Sequence, residues 1–294
     1  MREPTRSRAV EDEHGRPRER ERPPLPEPLP HPVVDNHCHL DIADGAWLET
    51  ADAVSRAAEV GVRRIVQIGC DLPGAQWAVD AALAHDPLVA GVALHPNEAP
   101  RLAGEGRLEE ALAEIERLAQ AHDKVRAVGE TGLDHFRTGP EGRGAQVESF
   151  VRHIDLAKRL DKTLVIHDRD AHDQILDVLD AEGAPERWVM HCFSGNPRFA
   201  RACLDRGAFL SFAGTVTFKN AQPVRDALAI TPLDRVLVET DAPFLTPMPY
   251  RGRPNASYLV PVTVRAMAEV RGDDLRVLCE AIDATTDRAF GGAW

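Results

Sequence analysis

From Val33 onward, short runs of β-branched and aliphatic residues alternate with longer segments whose apolar positions recur three and four apart. The runs Val33–Leu40, Arg64–Cys70, Leu88–His95, Lys124–Gly129, Thr163–His167, Trp188–Cys192, Ala208–Phe212 and Arg235–Glu239 predict strands. Between them, Ala51–Glu59, Gln76–His85, Leu108–His122, Gln146–Leu160, Ala171–Glu182 and Pro197–Arg206 predict helices. In one of these, Leu108, Leu112, Ile115, Leu118 and Ala119 form the stripe of an amphipathic helix. The strand segments are almost continuously apolar, as a parallel sheet covered on both faces requires. Eight such units between residues 33 and 294 suit a closed barrel, which typically takes roughly 250 residues. An open doubly wound sheet would place a glycine-rich phosphate loop after its first strand. Here Val33–Leu40 runs into two histidines instead. The expected fold class is α/β, a single-domain (β/α)8 TIM barrel over residues 33–294.

Residues 1–32 break the rhythm. They hold 8 of the 22 prolines and no aromatic residue, and residues 1–30 balance seven arginines against seven carboxylates. Such a segment buries too little apolar surface to offset its ordering entropy. A disordered Pro/Arg/Glu-rich tail is the expectation, and the intermixed glutamates argue against a nucleic-acid-binding arm. With the tail neutral, the net charge of −12 belongs to the barrel. That argues against a protein holding nucleic acid mainly by counterion release, but not against a nucleic-acid enzyme whose metals supply positive charge. No apolar run of 18 residues predicts a membrane span, and the charged start of the chain lacks the apolar stretch of a secretory signal. Five scattered cysteines with no CxxC pair predict neither a disulfide framework nor a thiolate zinc site. A cytoplasmic protein with no membrane association and no obligate protein partner follows as the expectation.

The candidate chemistry lies at one end of the predicted strands. His37 and His39 end the first strand, Glu130 follows the fourth, His167 ends the fifth, His191 ends the sixth and Asp241 follows the eighth. In a barrel these ends share one mouth, where active sites sit. Residues i and i+2 of a strand point to one side, so His37 and His39 are expected to face the barrel axis and Cys38 the helices. Imidazoles with carboxylates suit a borderline divalent ion. Four histidines and two carboxylates exceed the needs of one tetrahedral ion, so two divalent ions are expected, with Glu130 as the bridge. Singly, each residue has a plainer reading: a hydrogen-bonded strand-end histidine, a helix-capping Asp241, a surface Glu130. Together at strand ends of one sense they point to a metal site. His95 ends the third strand and is a candidate for substrate binding or a structural role. His14 and His31 fall in the tail, and His85, His122, His153 and His172 lie on or beside helices and are expected to be surface or helix residues.

These residues also sit in a series of motifs. In order they are Asp35-Asn36-His37-Cys38-His39-Leu40, Leu94-His95-Pro96, Gly129-Glu130-Thr131-Gly132-Leu133-Asp134 and His167-Asp168-Arg169-Asp170-Ala171. They continue with His191-Cys192-Phe193-Ser194-Gly195, Val216-Thr217-Phe218-Lys219-Asn220-Ala221, Glu239-Thr240-Asp241-Ala242-Pro243 and Pro249-Tyr250-Arg251-Gly252-Arg253. From Val33 to about Gly291 the chain resembles the TatD-type metal-dependent hydrolases, a branch of the amidohydrolase-like barrels. The resemblance implies that His37, His39 and Asp241 belong with one metal, His167 and His191 with the other, and that Glu130 bridges. It implies two divalent ions (Mg²⁺, Zn²⁺ or Mn²⁺) and a deoxyribonuclease acting from the 3′ end of DNA. His135 stands where an aromatic residue often follows the Gly-Leu-Asp run, and Arg253-Pro254-Asn255 departs from the usual Arg-Asn-Glu-Pro pattern. Both departures concern substrate loops. No lysine ends a predicted strand at the mouth, so a carbamylated-lysine bridge is not expected.

The mechanism expected from this set is hydrolysis by a metal-activated water, with Asp241 as general base and Glu130 as the second catalytic carboxylate. Arg169, Lys219, Arg251 and Arg253 are candidates for holding phosphates, and Tyr250 or Phe244 for stacking on bases. The expected partner is DNA, single-stranded or at its 3′ ends. A deacylase acting on a carboxylic ester or amide such as D-aminoacyl-tRNA needs the same water and metals, and stands as the alternative.

Overall fold

The computed structural model describes residues 3–11 and 15–294; His14 lies outside them. Eight parallel strands, β1 (Val33–Cys38), β2 (Val62–Gly69), β3 (Leu88–Val92), β4 (Val125–Asp134), β5 (Thr163–Arg169), β6 (Trp188–Met190), β7 (Phe209–Phe212) and β8 (Val236–Val238), pair in chain order. The two ends of this sheet meet through a parallel bridge between Cys38 and Ala242. Across it the His39 N–H donates to the Ala242 carbonyl (2.7 Å) and the Asp241 N–H to the His37 carbonyl (2.9 Å). The fold is a TIM barrel.

Helices α1 (Thr50–Glu59), α2 (Leu72–Ala84), α3 (Glu98–Gly104), α4 (Leu108–Ala119) and α5 (Arg143–Arg159) cover the first half. The second half is covered by α6 (His172–Glu182), α7 (Pro197–Leu204), α8 (Gln222–Ile230), α9 (Val260–Arg271) and α10 (Leu275–Ala289). Local chemistry sets their ends. The Asp71 carboxylate accepts the Gly74 N–H at 2.7 Å and starts α2, as an N-cap side chain does. Gly272, at φ 70°, closes α9 in the left-handed conformation that suits glycine.

The core has two layers. Val34, Val66, Val89, Ala127, Val165, Val189, Phe209 and Leu237, one from each strand, fill the barrel. The opposite faces of the strands pack against the helices, where Leu112, Ile115 and Leu118 of α4 are buried. This division shows which way the site residues face. On β5, β6 and β8 the steps Val165 to His167, Val189 to His191 and Leu237 to Glu239 to Asp241 are even, so those side chains stay on the inner side.

On β1 and β4 the count is odd: Val34 to His37, and Ala127 to Glu130. Each strand carries one extra residue there. Asp35 to Cys38 spans three residues against two on β2, and Gly129 to Thr131 spans two against one on β5. Such bulges reverse the alternation and re-aim side chains beside active sites. Gly132 keeps β4 close to β5, since a Cβ there would lie 2.1 Å from the His167 carbonyl oxygen.

Composition predicts disorder for residues 1–32. Within their described part, polar bonds take the place of apolar burial. Arg22 donates to the Asn255 (2.9 Å) and Asp44 (3.0 Å) carbonyls. Arg253 donates to those of Glu21 (2.8 Å) and Arg22 (2.7 Å), and the Tyr258 hydroxyl to that of Pro23 (2.6 Å). A proline-rich chain keeps its carbonyl acceptors and has less unfolded entropy to lose. Composition does not show these bonds.

His153, expected as a surface or helix residue, lies on α5 and is buried at 1% exposure. Its Nδ1–H donates to the Ser149 carbonyl (2.6 Å) and its Nε2 accepts the Leu94 N–H (3.2 Å). Burial therefore lowers its pKa from 6.5 to about 4. The stability this neutral ring contributes is full above about pH 6.5 and is lost as pH falls from there through about 4. Between pH 7.5 and 5 the wild type should lose about 2 kcal/mol more than His153→Gln, measured by urea denaturation at both pH values. Parallel pH dependence in the two proteins would show that His153 does not carry it.

Candidate metal centre

The strand ends bring His37, His39, Glu130, His167, His191 and Asp241 into one cluster. Glu130, 4% exposed, stands in the middle. Its Oε2 lies 3.3 Å from His37 Nε2 and 3.8 Å from His39 Nε2. Its Oε1 lies 2.7 Å from His167 Nδ1, 3.2 Å from His191 Nε2 and 3.4 Å from His95 Nε2. One carboxylate thus faces two groups of imidazoles with separate oxygens. Asp241 Oδ1 completes the first group at 3.2 Å from His39 Nε2 and 3.8 Å from His37 Nε2. Asp241 takes a left-handed φ of 55°, a strained conformation for a side-chain-bearing residue.

The tautomers test whether a cation fits. His39 Nδ1 lies 2.9 Å from the Ile68 carbonyl, so Nδ1 carries the proton and Nε2 presents a lone pair. That lone pair faces Asp241 and Glu130. In the same way His191 Nδ1 donates to Glu239 Oε1 at 2.9 Å and turns a bare Nε2 toward Glu130. Acceptors opposed at such distances repel unless a positive charge lies between them. Imidazole nitrogens with carboxylates suit a borderline divalent ion, and a carboxylate behind a ligating histidine is the usual support. The donor set fits a metal.

Without an ion, the rings themselves meet the demand for positive charge. Burial works against charging His39, yet the hydrogen bond and charge of Asp241, with Glu130 behind it, hold its pKa at about 9. Burial likewise opposes a charged His191, and Glu239 and Glu130 overcome it. For Glu130, burial is outweighed by the charges of His191 and His95 and the bond from His167, which hold it well below the carboxylate range. His37 goes the other way: burial, then the positive His191 ring stacked on it at 3.8 Å, lower its pKa.

A family profile described as TatD related DNase matches residues 34–291. The chain belongs to the TatD family. TatD-family relatives include a Mycobacterium tuberculosis protein, described as the uncharacterized metal-dependent hydrolase TatD, 43% identical over 267 residues that cover 89% of this chain and 99% of that one. The uncharacterized metal-dependent hydrolase YcfH of Escherichia coli K12 is 37% identical over 88% of this chain and 95% of its own. The crystal structure of the TatD homologue YjjV from Escherichia coli K12 superposes with a TM-score of 0.79 at 26% identity, covering 89% of this chain and 98% of that one. Membership of the TatD family makes this chain a metal-dependent hydrolase.

The other candidates for substrate binding fall in different settings. His95 sits within the cluster, its ring edge-on to His167 at 4.5 Å. Arg169 lies over the exposed ring of Phe136 at 3.9 Å, and Arg251 over Phe218 at 4.4 Å. Lys219 is exposed on the loop after β7, and Tyr250 is half-buried against the core. The Arg253 guanidinium donates to the Glu21 and Arg22 carbonyls, which ties it to the N-terminal segment.

Three neighbours of the cluster carry no role in the sequence reading. Cys70 donates through Sγ to Glu130 Oε2 at 3.3 Å. Asp134 Oδ2 lies 3.4 Å from His167 Nε2, and Glu239 supports His191. Glu239 and Asp134 belong to motifs quoted above, and the even step from Glu239 to Asp241 was the available signal. For Cys70 there was none beyond its place at a strand end.

Proposed function

We propose that this TatD-family protein is a divalent-metal-dependent deoxyribonuclease that hydrolyses phosphodiester bonds of DNA from the 3′ end. The observation that carries the reading is Glu130, whose two oxygens face separate imidazole groups. This arrangement supports a two-ion site, with His37, His39 and Asp241 on one ion, His167 and His191 on the other, and Glu130 shared. When bound, the ions activate water near neutral pH and stabilise charge on the phosphoryl oxygens.

The chain's own residues supply the rest. The Asp241 side chain is 15% exposed and that of Glu130 5%, so Asp241 is the carboxylate that can reach an attacking water and accept its proton. Glu239 and the Ile68 carbonyl fix the rings of His191 and His39. At the rim, the stacked pairs Arg169–Phe136 and Arg251–Phe218 offer a cation for a phosphate beside an aromatic face for a base. Lys219 and Tyr250 add a second set on the loops after β7 and β8, and His95 reaches the substrate from β3. The net charge of −12 speaks against long duplex DNA, and the second reading is a deacylase acting on an aminoacyl ester.

Chelator-stripped protein re-supplied with Mg²⁺, Mn²⁺ or Zn²⁺ separates the two. One arm offers a 5′-labelled single-stranded oligonucleotide, the other D-aminoacyl-tRNA, with the His37→Ala/His39→Ala double variant as blank. A metal-dependent ladder shortened from the 3′ end and missing from the blank is expected. Deacylation with intact DNA would reverse the assignment.

A further inference from the structure

The segment before the family match, which begins at residue 34, builds one wall of the barrel mouth. Arg6–Ser7 pair as a short parallel strand with Ile42–Ala43 in the loop after β1. The Thr5 hydroxyl donates to Asp41 Oδ2 at 2.6 Å. These contacts set Arg8 over the loop after β8. Its Nη1 donates to the Pro243 carbonyl at 3.0 Å and to Asp44 Oδ2 at 2.9 Å, and its guanidinium carbon lies 4.5 Å from the centre of the Phe244 ring. Phe244 in turn meets His39 edge-on at 6.1 Å, and its N–H donates to the Asp241 carbonyl at 2.8 Å. One aromatic ring separates Arg8 from the metal-binding cluster.

Charge gives this placement its meaning. Asp44 Oδ2 also accepts from Arg18 at 2.8 Å. One carboxylate shared by two guanidiniums leaves positive charge at the rim. Inside the mouth, Glu130, Asp134, Glu239 and Asp241 crowd together, and a polyanionic strand needs fixed cations to approach them. Arg8 is 26% exposed against 12% for Arg18, so Arg8 is the one that solvent and substrate reach. Among the described residues both of its hydrogen bonds are made by Nη1. The Nε–Nη2 edge is the fork that holds a phosphate through two parallel bonds.

We propose that Arg8 is a substrate-binding residue, holding a non-scissile phosphate of the nucleic-acid strand where it passes Phe244. The proposal rests on the nuclease reading of the site. It turns the N-terminal segment from an appendage into part of the binding surface, one that lies outside the matched family region.

The test uses the full metal-loaded protein and a fluorescein-labelled phosphorothioate oligonucleotide, followed by anisotropy at several salt concentrations. DNA cleavage and melting temperature are measured in parallel. Arg8→Gln should weaken binding about tenfold and flatten the plot of log affinity against log salt by about 0.7. Arg8→Lys should fall between it and wild type. Arg152→Gln, the same charge change on the far face of α5, should leave binding as it is. Wild-type affinity and salt slope in Arg8→Gln, with cleavage intact, overturn the proposal and leave the nuclease reading standing. Weakened binding with a lowered melting temperature and an unchanged salt slope assigns Arg8 a structural role, which also overturns it. If the wild type neither binds nor cleaves DNA, both fall together.

Discussion

Glu130→Gln should lower turnover by about a thousandfold and reduce the metal bound per chain. The carboxylate is the shared member of the cluster: Oε2 faces His37 and His39, Oε1 faces His167, His191 and His95. A glutamine keeps the shape but removes the charge that both groups face. Its amide can offer oxygen to only one side and turns N–H donors toward imidazole lone pairs on the other. Metal catalysis is worth several kcal/mol of transition-state stabilisation, and about 4 kcal/mol corresponds to the stated loss. Elemental analysis of the purified variant, alongside kcat on the same preparation, measures both effects. Full metal content with wild-type turnover would remove Glu130 from the bridging position.

Asp241→Asn separates holding the metal from doing chemistry. Asparagine retains an oxygen near the position of Oδ1, which lies 3.2 Å from His39 Nε2, so metal content should stay close to wild type. The group proposed to accept a proton from water is gone, and kcat should fall by about 10²–10⁴-fold. In the native protein burial opposes the charge on Asp241, but the bond to His39 and the nearby His191 keep its pKa below the ordinary value. It is therefore anionic throughout the neutral range. Retention of wild-type kcat would transfer the role of base to another group. Loss of metal together with kcat would make Asp241 a ligand first and leave the proton acceptor unassigned.

Much of this centre is legible in the sequence because strand ends of one sense converge. His167 and His191 each stand two residues beyond an apolar inward position, so alternation alone predicts their direction. The apolar runs that mark the strands also predict the barrel, and the two core layers follow from their unbroken character. What the sequence leaves out is contact between strands. Asp134 acts on a histidine of the neighbouring strand and Glu239 on one two strands away, and nothing in their own segments marks the pairing. His153 lies on a helix whose periodicity gives a face but not a depth, and depth decides its protonation. Composition treats residues 1–32 as too polar to order, because it counts apolar surface and has no measure of guanidinium-to-carbonyl bonds. His37 shows the limit most sharply: the i+2 spacing correctly sets it beside His39, while the inner direction of the pair depends on the bulge between Asp35 and Cys38.

Those two extra residues make the centre a matter of parity. Iron out the bulge on β1 by a one-residue slip, with no change of sequence, and His37 and His39 trade places with Cys38. Lose the bulge on β4 in the same way, and Glu130 leaves the axis for the helix layer. Together the two slips leave every metal-competent side chain encoded and take three of the six, His37, His39 and Glu130, out of the mouth. For this barrel, then, an inventory of residue types cannot tell the working register from the slipped one, and the pairing of two strands decides between them.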